Sequence, residues 1–111
     1  MMRRLKFSPY MSLLLFKKCF LEAIRSGAKQ TTIRRWSKPR VRAGARAYAP
    51  GLGWICIENV AEVDLRELDD GDARADGFNS VAQMRKELRR MYPKLKNDGK
   101  VWFRVRFRIA Q

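Results

Sequence analysis

The sequence predicts an α+β fold in a single domain: a small β-barrel with helices packed on its outside. Alternating apolar and polar segments occur at both ends and in the middle of the chain, and helical patterns separate them in the order β-α-β-β-β-α-β. The chain has 111 residues, enough for one core, so one domain spanning 1–111 is expected. At 46% hydrophobic and 11% aromatic, it carries too much apolar mass to be disordered throughout.

Taken in order, Arg4–Ser8 alternates as a short strand with Leu5 and Phe7 inward. Ser8-Pro9 suits a first helical turn, and Leu13, Phe16, Phe20 and Ile24 recur at helical spacing with Lys17, Lys18 and Arg25 outward. Gly27 supplies the C-terminal stop. Gln30–Trp36 reads as extended, and Ser37–Gly44 as a basic loop. Arg46–Ala49 and Gly53–Asp64 read as strands joined by a turn at Pro50–Gly53. Asp69–Gly77 holds one short helical turn. Ser80 with Gln83 forms a capping-box signal, after which Val81, Met84, Leu88 and Met91 make the apolar face of a helix that Pro93 ends. After a polar loop at Lys94–Lys100, Val101–Ile109 alternates cleanly, with Trp102, Arg104, Arg106 and Arg108 on the polar face.

Charge narrows the partners. Lys and Arg number 25 against 11 Asp and Glu, a net charge of +14. The acids concentrate in the middle, between Ala47 and Asp76, and both ends are strongly basic. Such a balance says little about fold but points to a polyanion, nucleic acid first, with an anionic membrane surface as the rival. The basic helix face of Arg85, Lys86, Arg89 and Arg90 resembles a membrane-surface helix only loosely, because its apolar side is needed for the core. No stretch approaches the ~20 apolar residues of a membrane span, and the protein is expected to be cytoplasmic. Cys19 and Cys56 form neither a metal spacing nor a disulfide framework, so both are expected as buried thiols in a reducing compartment. Histidine is absent, which removes His-based triads and His-ligated zinc. No metal and no cofactor are expected.

The densest chemistry lies in Gly27-Ala-Lys-Gln-Thr-Thr-Ile-Arg-Arg-Trp36. An ammonium, two hydroxyls and two guanidinium groups beside a helix end suit a phosphate, a base or a carbonyl oxygen. Lys29 can act as a base only when partly neutral, and nearby Arg34, Arg35 and the positive field lower its pKa. Thr32 could then attack an acyl carbon while Arg34 holds the oxyanion; equally, Lys29 and Arg34 could hold a phosphate without chemistry. Asp76 could orient Lys29, or simply cap a turn before Gly77. Trp36, Tyr48 and Trp54 are candidates for stacking on a base, or for the core. Trp102 with Arg104 and Arg106 makes a candidate phosphate stripe at ~6.6 Å spacing, or a charged guard on an exposed strand. Arg34, Arg35, Lys38, Arg40 and Arg42, running from the extended segment into the basic loop, would contact phosphate or else stay mobile.

The order of these motifs resembles the ASCH domain family, whose fold is a PUA-like β-barrel. The resemblance rests on Gly27-x-Lys29-x-x-Thr32-Ile33-Arg34, then a Gly-x-Arg-Ala-Tyr strand ending at Tyr48. Ala73-x-x-Asp76-Gly77-Phe78 follows, and then a helix closing in Met91-Tyr-Pro93. It covers roughly Leu5 to Phe107. It implies RNA or nucleotide binding in a cleft beside the barrel. One branch hydrolyses the acetyl amide of N4-acetylcytidine with a Lys, a Thr and a downstream Glu. Those roles fall on Lys29, Thr32 and Asp76, the last one methylene shorter than the glutamate of that branch. The expected function is therefore an RNA- or nucleotide-binding protein, with hydrolysis of a modified nucleoside or of RNA as the alternative.

Overall fold

The computed structural model describes residues 12–93 and 98–110. The strand expected at Arg4–Ser8 lies outside them. Five strands form one curled sheet: β1 (Ser12–Leu13), β2 (Thr31–Trp36), β3 (Arg46–Ala49), β4 (Gly53–Val63) and β5 (Val101–Ile109). Their spatial order is β1-β3-β4-β5-β2, parallel between β1 and β3 and antiparallel elsewhere. Three short helices accompany it: α1 (Leu21–Arg25), α2 (Asp70–Ala75) and α3 (Val81–Met91). This is the expected α+β architecture, seen as a half-barrel with flanking helices.

Alternation along the strands divides the interior in two. Ala47, Ala49, Ile55, Ile57, Phe103, Val105 and Phe107 face one side and pack with Leu14, Ile24, Trp36 and Val41. On the opposite side Ile33 meets Leu68, Ala73, Met84 and Leu88, so α2 and α3 are held by that face of β2 and β5. Each fully buried Ile or Leu here contributes about 1.5–3 kcal/mol relative to exposure. A register shift between Ile57 and Asn59 keeps the apolar alternation of β4 in phase with β5 past an extra residue.

The first helix departs from expectation. The Leu13–Ile24 periodicity predicts one continuous helix, yet Ser12–Leu13 is a strand on β3, and Leu14 N–H donates to Tyr48 C=O at 3.0 Å. Lys17 is extended (φ −62, ψ 144), a 3-10 turn covers Lys18–Phe20, and only Leu21–Arg25 is α-helical. Pairing with β3 outweighs a propensity that a short segment cannot realise as helix. At α3 the cap is split: Ser80 accepts from Gln83 N–H at 3.1 Å, but the Gln83 side chain accepts from Asn79 rather than from Ser80. The reciprocal box lies at α2, between Asp69 and Asp72.

Candidate functional site

The edge strand β2 positions the site. Gly27 turns the chain out of α1 at φ +86, a conformation that costs glycine little. Lys29 N–H then donates to Ala23 C=O at 2.9 Å, and Gln30 N–H to Ala75 C=O at 2.6 Å, tying the start of β2 to α1 and α2 together. From the other side, α2 ends at Asp76, its C-cap. Gly77 follows at φ +95, and a Cβ there would sit 3.4 Å from the Lys29 stem. The glycine thus lets the α2 end close over the lysine.

Lys29 and Asp76 meet in the interior, 4% and 3% exposed. Lys29 Nζ lies 3.5 Å from Asp76 Oδ2 and donates to the Asp76 backbone C=O at 2.6 Å. Thr31 Oγ1 donates to Asp76 Oδ1 at 2.9 Å, and the Phe20 ring centroid is 5.0 Å from the ammonium. Burial lowers the Lys29 pKa; Asp76 opposes that shift and Arg34 adds to it. Burial raises the Asp76 pKa against the pull of Lys29 and Thr31. Desolvation thus outweighs attraction on both partners, and each is pushed toward its neutral form. The first cause of the lowered Lys29 pKa is burial rather than the positive field.

Above the pair, Arg34 is fixed at three points. Nε donates to Thr32 Oγ1 at 2.9 Å, Nη2 donates to Leu15 C=O at 2.5 Å, and the guanidinium lies 5.1 Å from the Phe16 ring centroid. Because Thr32 Oγ1 accepts from Arg34, its own hydroxyl proton is left to donate elsewhere. Lys29, Thr32, Arg34 and Asp76 line one half-open cleft of about 200 Å³. Phe16, Phe20, Phe78 and Tyr92 supply its aromatic lining. Donors at the floor and aromatic walls can hold a flat, acceptor-bearing ring.

The structure therefore brings together Lys29, Thr32, Arg34 and Asp76 and leaves the other candidates apart. Trp36 packs into the core at 5.9 Å from Phe103, because its position in β2 points inward. It is a structural residue. Trp102 is half-buried, with the Tyr92 ring centroid 5.2 Å away and the Arg35 guanidinium 5.4 Å from its own centroid. The arginine stripe is partly neutralised. Arg104 pairs with Asp72 at 3.2 Å and Arg108 with Glu58 at 3.3 Å, while Arg106 donates to the Gln30 side-chain oxygen at 3.1 Å. Arg35 pairs with Asp98 at 3.1 Å, away from the cleft. Lys38 and Arg40 are exposed in the loop, and Tyr48 and Trp54 are exposed together on the sheet. Cys19 is exposed and Cys56 half-buried, so neither is the buried thiol expected: the first sits on the 3-10 turn that replaces the predicted helix, the second on the outward face of β4. Thr31 escaped sequence reasoning. Its signal was the strand period, which puts Thr31 and Thr32 on opposite faces and gives Asp76 a hydroxyl of its own.

Among the described residues no group of three His, Cys, Asp or Glu is placed to hold a metal, and no helix is long and apolar enough to cross a membrane.

No protein-family model matches the chain, and neither does any curated protein. Solved structures do match its fold. An ASCH domain from Lactobacillus crispatus JV V101 superposes with a TM-score of 0.71 at 13% identity, over 89% of this chain and 79% of that one. ASCH from Zymomonas mobilis gives 0.64 at 18% identity, over 94% and 71%. Protein EF3133 from Enterococcus faecalis V583 gives 0.66 at 14% identity, over 90% and 80%.

Proposed function

We propose that this chain, which has the fold of ASCH domains, binds a nucleobase or nucleoside, free or within RNA, in the cleft at the edge of β2. One observation carries the reading: the buried Lys29–Asp76 pair forms the floor of an aromatic-walled cleft. Keeping an ion pair in a place where desolvation outweighs attraction is costly for stability alone. The cost is understandable where the pair orients donors toward a ligand. Arg34, Lys29 and the Thr32 hydroxyl offer protons to ring nitrogens and carbonyl oxygens, and the aromatic rings offer stacking faces. A net charge of +14 supplies phosphate attraction around the site.

Titration calorimetry with free nucleosides tests this reading, comparing wild type with Arg34→Met. Saturable binding that the variant loses supports it. Equal behaviour of the two proteins, or no binding at all, refutes it.

A second reading, hydrolysis of a nucleoside amide, is favoured by the lowered Lys29 pKa, which increases the neutral amine available as a base. In that chemistry Lys29 takes the Thr32 proton as Oγ bonds to the acyl carbon. The C–N bond then breaks, the amine leaves with that proton, and water cleaves the acyl-threonine to release the acid. Acetate release from N4-acetylcytidine by wild type, abolished in Thr32→Val, supports it. Intact substrate after prolonged incubation excludes it.

A further inference from the structure

We infer that the outward sheet face around Tyr48 and Trp54 is a separate stacking platform for single-stranded nucleic acid. It does not rest on the cleft reading, since none of its residues lines the cleft. Strand register sets Leu13, Tyr48 and Trp54 in one row across β1, β3 and β4. They are 60%, 41% and 38% exposed, large values for three bulky side chains side by side. The Tyr48 and Trp54 rings meet edge to face, with centroids 5.3 Å apart and planes at 76°. That leaves a corner in which a planar base can lay its face on one ring and its edge against the other.

Cations frame this row. The Arg46 guanidinium lies 5.4 Å from the Trp54 ring centroid, and no carboxylate among the described residues pairs with it. Arg46 registers with Cys56, and Cys56 with Arg108, so the neighbouring row carries two guanidinium groups separated by one strand. At ~4.8 Å between strands and ~6.6 Å between rows, phosphates on either side of a stacked base are within reach of both. Arg25 Nη2 donates to Gly51 C=O at 2.7 Å and ties the β3–β4 turn to α1. Exposed aromatic rings beside the Arg46 guanidinium, with Arg108 still 59% exposed in the same row though paired to Glu58, are what base stacking with phosphate contact requires. An apolar protein partner would instead have to desolvate those arginines.

The test is titration of the protein with a short fluorescent oligouridine at low salt. Wild type should bind, with quenching of tryptophan emission. Tyr48→Ala/Trp54→Ala should weaken binding at least about 10-fold, within the 1–3 kcal/mol expected per stacked base, while nucleoside affinity stays unchanged and the variant stays folded, with a melting temperature lowered only by the lost ring contact. Trp54→Phe should keep most of the affinity and lose most of the quenching. The inference is overturned if wild type does not bind, if the double variant binds like wild type, or if anionic vesicles bind and the oligonucleotide does not. Loss of nucleoside binding alone, with oligouridine binding intact, defeats the cleft reading and leaves the platform standing.

Discussion

Asp76→Asn isolates the energetics of the buried pair. The substitution keeps size and the acceptor for Thr31 Oγ1 but removes the charge facing the Lys29 ammonium. An unpaired charge left in a buried site costs about 3–5 kcal/mol. In a domain of this size each kcal/mol shifts the melting temperature by about 4 °C, so the loss should be roughly 12–20 °C. The pH dependence then identifies the cause. Asp76 holds the Lys29 pKa up, and without it burial lowers that pKa further below the ordinary 10.5. Between the folded and unfolded pKa values the unfolded chain binds more protons, so the stability of the variant rises with pH, by up to ~1.4 kcal/mol per pH unit. Lys29→Met/Asp76→Asn removes both charges and should recover more than half of the loss. The assay is urea denaturation followed by circular dichroism at several pH values. A single variant as stable as wild type, or a double variant as unstable as the sum of its parts, refutes the reasoning.

Other consequences are open to the same assay. Thr31→Val deletes one hydrogen bond to a carboxylate and should cost about 1.5–3 kcal/mol; a neutral result would mean the bond is not formed. It should also raise the Asp76 pKa further, because the Thr31 hydroxyl favours the ionised form. In the wild type, folded Asp76 binds its proton more tightly than the unfolded chain does, so its contribution to stability falls as pH rises from the ordinary value of 3.8 through the folded pKa. Denaturation midpoints across the acid range check that sign. Gly77→Ala imposes a side chain at φ +95 against the Lys29 stem and should cost at least ~1 kcal/mol, read as a lower urea midpoint. If RNA binds through three or four phosphates, log K should fall with log salt at a slope of about −2 to −3, measured by anisotropy.

Much of this architecture was legible in the chain because its strands carry strong periodic signals. Val101–Ile109 alternates without exception, and the structure returns it with the same bounds. Turn glycines placed the ends of α1 and the β3–β4 hairpin in the same way. The first helix misled because apolar residues at Leu13, Phe16, Phe20 and Ile24 fit a helix as well as they fit a strand followed by a turn, and the sheet edge that decides between them is built by residues 46–49. The grouping of Lys29, Thr32, Arg34 and Asp76 came from the order of short motifs. Their depth did not, since burial of Lys29 depends on α2 closing over β2. Aromatic residues were the least legible: Trp36 and Tyr48 both sit on alternating strands beside arginines, yet one is core and the other surface. The difference is only which face each strand turns inward.

The claim that the cleft beneath Arg34 is the ligand site is tested most directly by mapping backbone amide chemical shifts while titrating with cytidine and N4-acetylcytidine. Saturable shifts should concentrate at Thr31–Arg34 and at Asp76–Phe78, the two segments that meet over Lys29. Shifts confined to other parts of the sheet, or none that saturate, would contradict it.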